Sequence, residues 1–191
     1  MKHLKMLGLF VMAAASLMAF AGSASAAATF TSPTGTEYTN TLSSSLEGSA
    51  LLEAGFANIT CTTSTVAGKI TANDATEASG EISKVEFSNC GGATVDTLLP
   101  KGTLTITNGG HTVSGTGVEV TTAIFGTSCI YGLGAGTHLG TATNTSVGGV
   151  DTVTLDIDAN LPKLFGGFLC ASPATWQAKY IVTSPAISFV D

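Results

Sequence analysis

In TWQAKYIVT, residues 175–183, Trp176, Ala178, Tyr180 and Val182 take every second position, and Gln177, Lys179 and Ile181 fill the gaps. A period of two is that of a pleated strand with one buried face, so this stretch predicts a strand whose Trp176 side is core. TVTLDID, residues 152–158, alternates as cleanly, with Val153, Leu155 and Ile157 inward and Thr152, Thr154, Asp156 and Asp158 toward solvent. That is the pattern of a half-buried antiparallel strand. ANITCTTST, GEISKVEFSN, TLTITN, GVEVTTAIF and AISFV predict further strands, each bounded by Gly, Asn, Pro or Ser at short spacing. Helical periodicity is nearly absent. The pattern therefore predicts an all-β fold, a single antiparallel β-sandwich or flattened barrel. Asn108-Gly109-Gly110 is the strongest hairpin signal, because Asn and Gly accept the positive φ of tight turns. Thr29 to Ser49, rich in Thr, Ser and Gly, predicts a loose N-terminal strand with irregular connections.

The beginning of the chain follows a different pattern. MKHLK carries Lys2 and Lys5, an apolar run MLGLFVMAAASLMAF follows, and Ala24-Ser25-Ala26 closes it. A basic start, a short apolar stretch and a small-x-small site make a signal peptide over 1–26, too short to span a bilayer comfortably. No later apolar stretch approaches the roughly 20 residues of a membrane helix. Residues 27–54 then read as an extended segment at the domain edge, and 55–191 as the β-sandwich domain. The expected product is exported, secreted or held in the cell envelope, with no integral membrane association once mature.

Without 1–26, five lysines face thirteen acidic residues, and the sequence contains no arginine. Nucleic acid is not an expected partner, since phosphate binding needs clustered Lys and Arg. Anionic membrane surfaces are disfavoured for the same reason. Thr, with about thirty copies, and Ser must make up much of the surface. A cell-envelope or protein partner of undefined identity remains the expectation.

Cys61, Cys90, Cys129 and Cys170 are four cysteines in a chain read as exported, which implies two disulfides in one of three connectivities. Sequential pairing, Cys61 with Cys90 and Cys129 with Cys170, closes the shorter loops and suits neighbouring strands. Zinc fails on spacing, because no two cysteines form a C-x₂₋₄-C corner. The Gly-rich run CIYGLGAGTHLG, residues 129–140, has Thr137 where a dinucleotide fingerprint needs its third Gly, and no helix follows. It reads as a wide turn or bulge. His111 and His138 each stand alone beside Gly-rich turns and read as exposed loop residues. Asp156, Asp158 and Asn160 match the start of a calcium loop, but Leu161 replaces its Gly and Gly167 its final acid. No Ser lies in a G-x-S-x-G elbow. These readings assign no catalytic, metal-ligating or cofactor-binding residue and no cofactor.

NITCTTST, GEISKVEFSNC, LPKGTLTIT, SCIYGLGAGTHLGT and FLCASPATWQAKYIVTSP together resemble a family of uncharacterised secreted bacterial β proteins with four cysteines. The resemblance covers about Gly55 to Asp191 and implies a fold and export, with no catalytic residues to carry over. The same Thr-rich, Cys-containing layout is similar to exported proteins described as activators of alkane oxidation. The expected function is that of an exported, non-enzymatic structural or binding protein, on the cell surface or released. Alternatives are a fimbrial-type subunit completed by a donor strand, an accessory protein for uptake of hydrophobic substrates such as alkanes, and a secreted hydrolase.

Overall fold

The structure is a computed structural model that describes residues 30–55, 57–99, 101–107 and 112–189. The signal-peptide reading, the Asn108-Gly109-Gly110 turn and His111 lie outside the described residues. Sixteen strands, numbered in chain order, are found among the described residues. Eight of them form a closed antiparallel ring: β2 (Thr41–Leu46), β5 (Thr63–Asn73), β6 (Glu77–Ser88), β8 (Gly102–Thr107), β9 (Thr112–Thr116), β12 (Thr137–Val147), β13 (Val150–Leu161) and β15 (Cys170–Ser184). Each pairs with the next in that order, and β15 pairs back onto β2. The fold is all-β, with the barrel rather than two separate sheets as its frame. Closure satisfies the edge hydrogen bonds that an open sheet leaves free.

Because neighbours run antiparallel and follow chain order, successive connections fall at alternate ends of the barrel. At one end they are tight: residues 74–76 join β5 to β6, and Gly148-Gly149 joins β12 to β13. At the other end they are long and carry strands of their own. These are β3 (Ala50–Gly55), β4 (Asn58–Cys61), β7 (Thr94–Leu99), β10 (Glu119–Ile124), β11 (Thr127–Gly132) and β14 (Lys163–Phe165). β3 pairs with the first half of β15 and with β4, extending the wall. β14, β11, β10 and β7 pair in that order into a four-stranded sheet, here called the cap. All four long connections thus meet at one end of the barrel.

The opposite, far end is closed by the chain termini of the domain. β1 (Phe30–Thr31) pairs with β16 (Ser188–Phe189), and the two Phe rings stack with centroids 4.5 Å apart. Two asparagines hold these short strands. Asn73 accepts from Phe30 N–H at 2.9 Å and donates to the Phe30 carbonyl at 2.7 Å. Asn144 accepts from Phe189 N–H at 2.7 Å and donates to the Phe189 carbonyl at 3.2 Å. An amide side chain, buried in Asn73 and exposed in Asn144, thereby replaces the ladder partner that a two-residue strand lacks.

Along the staves the alternation predicted for 152–158 and 175–183 is realised, with Val153, Ile157, Ala178, Tyr180 and Val182 buried. Thr152 and Thr154 differ from expectation, since both are buried on the outward side. Their side chains are short enough to lie below longer neighbours, and the Thr152 hydroxyl donates to the Val182 carbonyl at 2.7 Å. Elsewhere the outer wall is polar: Thr103, Thr105 and Thr107 face Thr116, Ser114 and Thr112, and Asp156 faces Lys179. Residues 27–54, expected at the domain edge, contribute β2 to the closed wall between β5 and β15. The reason is the closure itself, which leaves a ring no edge for that strand to occupy.

Candidate functional site

Where the barrel meets the cap, the side chains leave an apolar cavity of about 80 Å³. The wall contributes Val66, Ile82, Leu104, Leu155, Trp176 and Tyr180, and the cap contributes Val95, Val120 and Tyr131. Ala50, Leu52 and Ile59 from the wall extension complete it, and no charged side chain lines it. An eight-stranded barrel has an interior just wide enough to be filled by side chains or to hold one small ligand. A second apolar cavity of about 70 Å³ lies toward the far end, lined by Phe30, Ile70, Ile106, Val182 and Ile187. The two share Ser44, Val66, Ile82, Leu104 and Leu155, which form a waist between them.

The polar atoms around the upper cavity are accounted for with one exception. Ser64 donates to the Glu86 carbonyl at 2.7 Å, so the Tyr180 hydroxyl, 2.9 Å away, donates to Ser64. Burial pushes the Tyr180 phenol up to about 12, with the Ser64 bond acting the other way. Tyr131 donates to the Ala54 carbonyl at 3.3 Å, and burial raises its phenol as well. Ser44 donates to the Val66 carbonyl at 3.3 Å. The exception is Trp176 Nε1, a buried donor with no hydrogen-bond partner among the described residues. Its ring is held edge-on between Phe87 and Tyr180, each 6.3 Å from it. An unmatched buried donor costs about 1–3 kcal/mol.

Both disulfides lie at this end, with the connectivity expected from sequential pairing. Cys61–Cys90 joins the first long connection to the second, and Cys129–Cys170 joins the third to the start of β15. The Gly-rich run holds the turn expected of it. Gly134 accepts from Thr137 N–H at 3.2 Å and from the Thr137 hydroxyl at 2.9 Å, leading from β11 into β12. Gly140 sits at a register shift in β12, where a Cβ would run into the Asp156 carbonyl. His138 is exposed on β12 opposite Ser114, on the outer wall and away from the cavity lining. Asp156 and Asp158 are exposed there too, opposite Lys179 and Gln177. Among the described residues no group of three or more His, Cys, Asp or Glu is placed to hold a metal ion.

The alternation singled out Trp176 and Tyr180 as core, but two features of the cap end escaped it. Phe125 stands 89% exposed at the β10–β11 hairpin, and it takes a positive φ of 51° next to Gly126 at 78°. A bulky residue rarely occupies that conformation. Phe165 and Phe168, in LFGGFL, are 67% and 94% exposed. Aromatic residues beside turn glycines are the signal that marks both places. Comparison of the chain with protein-family models, with curated proteins and with solved structures finds no match, so the functional reading rests on this geometry.

Proposed function

We propose that the protein is a non-catalytic binding protein that takes up a small apolar ligand in its barrel, between wall and cap. The apolar cavity of about 80 Å³ carries this reading. Buried apolar space that water does not favour is a place where a matching ligand gains contacts without losing hydrogen bonds. The protein works outside the cytoplasm, secreted or in the cell envelope, as the leader-like residues 1–26 and the two disulfides suggest. Its polar outer wall and apolar interior are the reverse of a barrel embedded in lipid, which supports a role in water. Among the described residues no helix is long and apolar enough to cross a membrane.

A hydrolase is disfavoured by the position of His138, which is exposed on the outer wall and does not line the cavity. The fimbrial alternative is disfavoured by the closed ring, because donor-strand completion needs a missing stave and an open apolar groove. The test is titration of the folded, oxidised protein with cyclopentane, read by methyl NMR shifts and by thermal stability. Saturable shifts at Val66, Leu104 and Val120, together with a raised melting temperature, are expected. Val120→Phe should fill the space and abolish both effects while the protein stays folded. Absence of any saturable response in the parent would end this reading.

Phe125, Phe165 and Phe168 favour a second reading, adhesion to a partner in the cell envelope through the cap. Co-sedimentation with isolated envelope material should then fall in the Phe125→Ser, Phe168→Ser double variant without loss of cyclopentane binding.

A further inference from the structure

Three residues of the upper cavity also border a second space. Val85 and Phe87 on β6 and Val95 on β7 line the cavity of about 80 Å³, and the same three line a groove of about 340 Å³ between those strands. Lys84, Glu86 and Asp96, all exposed, form the polar rim of that groove, so it opens to solvent. Inside and outside are separated here by a single layer of residues.

What sets this layer apart from the rest of the wall is how it is held. β8 pairs with β6 only as far as Ile82, opposite Gly102, so Ser83 to Ser88 have the β5 ladder on one side and no ladder on the other. β7 lies across that gap, but it is the edge strand of the cap and pairs with β10. The Thr97 hydroxyl crosses the seam and donates to the Val85 carbonyl at 2.7 Å. The other joins between barrel and cap are tied by backbone bonds or by sulfur. Where β9 leads to β10 and β11 to β12, Leu133 N–H donates to the Val118 carbonyl at 2.9 Å and Gly117 N–H to the Leu133 carbonyl at 3.0 Å. Where β13 leads to β14, Gly132 N–H donates to the Pro162 carbonyl at 3.2 Å, and Cys129–Cys170 fixes the start of β15. Local opening takes place most readily where few backbone hydrogen bonds must break, and the β6–β7 seam is that place.

On the premise that the cavity is a binding site, as proposed above, we infer that its ligand enters and leaves between β6 and β7. Phe87 and Val95, both half-buried, form the gate, and the Thr97–Val85 hydrogen bond is its latch. Opening requires β7 to move away from β6 while the ladders of the eight staves stay intact. The Phe87 ring meets Trp176 edge-on across 6.3 Å, so it can turn aside without breaking a hydrogen bond. Apolar packing draws the seam shut again once the ligand has passed, because an open seam leaves the cavity lining in water.

The test measures cyclopentane exchange in the folded, oxidised protein by methyl NMR line shapes of Val66 and Leu104, which yield kon, koff and Kd separately. Thr97→Val keeps the shape of the side chain and removes the latch donor. Thr97 lines the groove and not the cavity, so Kd should stay as in the parent. Both kon and koff should rise by about fivefold, the factor that goes with losing one net hydrogen bond. Thr97→Ser keeps the hydroxyl and should exchange as the parent does. Lys163→Ala removes bonds to the Gly167 and Cys170 carbonyls beside β14 and should leave the rates unchanged. Unaltered rates in Thr97→Val, or equal acceleration in Thr97→Ser or Lys163→Ala, would overturn the latched seam as the route while the cavity remains a binding site. If cyclopentane does not bind the parent saturably, the binding reading fails and the inference fails with it.

Discussion

At the cap end of the barrel, four long connections carry six strands and two disulfides, whereas the far end is closed by short hairpins and a pair of two-residue strands. The cap end also holds the upper cavity and the exposed rings of Phe125, Phe165 and Phe168. At the far end, Phe30 and Phe189 stack, and Asn73 and Asn144 satisfy the backbone of each. Chain length explains the division. Short hairpins cost little entropy to close, so packing and a few hydrogen bonds suffice, while long connections have more freedom to lose. The two disulfides restrain the long connections in pairs, and β7 with β10 joins those pairs through the cap sheet. Covalent links thus lie where the connections are long, and the upper cavity can persist beneath a cap that does not depend on filling it.

Replacing all four cysteines by Ala tests this division most severely. In the chain-entropy account, loops with sequence separations of 29 and 41 contribute about 3–4 kcal/mol each. A large fall in melting temperature is expected, with amide exchange accelerating first at Val120 and Tyr131 and last at Phe30 and Phe189. Equal loss of protection at both ends would break the comparison.

Phe30→Ala probes the other side. Removing a buried ring costs about 3–5 kcal/mol, and it should loosen β1 and β16 and enlarge the lower cavity. Cyclopentane shifts at Val120 should survive in this variant. Their disappearance would mean that the two ends act as one unit.

The smallest of the three effects is alkaline. The Tyr180 phenol titrates near 12 in the folded protein, against about 10 in an unfolded chain. The folded state therefore holds the proton over a pH range in which the unfolded state has released it. Stability is complete below pH 10, falls as pH rises, and is lower by about 2 kcal/mol at pH 12. Tyr180→Phe should flatten that slope. An unchanged slope in the variant would assign the alkaline loss to other groups.

Period-two alternation in 152–158 and 175–183 was enough to identify strands and to place Val153, Ile157, Tyr180 and Val182 inside, because which face is apolar is a local property of the chain. The cysteine order was enough for the connectivity, since sequential pairing closes the shortest loops and the cysteines border strands. The Gly-rich run at 129–140 was legible as a turn for the same local reason. Position 140 shows where local reading stops: its Gly is required by the Asp156 carbonyl of a neighbouring strand.

β2 marks the same boundary. Thr41 to Leu46 reads as TLSSSL, a weak strand by composition, and only its pairing with β5 on one side and β15 on the other makes it a stave. Alternation tells a residue which face to bury but not which distant strand will lie beside it. That choice is made by all eight staves together, because a barrel closes only when the last strand meets the first. The cavity, the unmatched Trp176 donor and the gathering of four long connections at one end follow from that closure. Each depends on side chains brought together from positions as distant as Ser44 and Tyr180, and no window of the sequence contains them both.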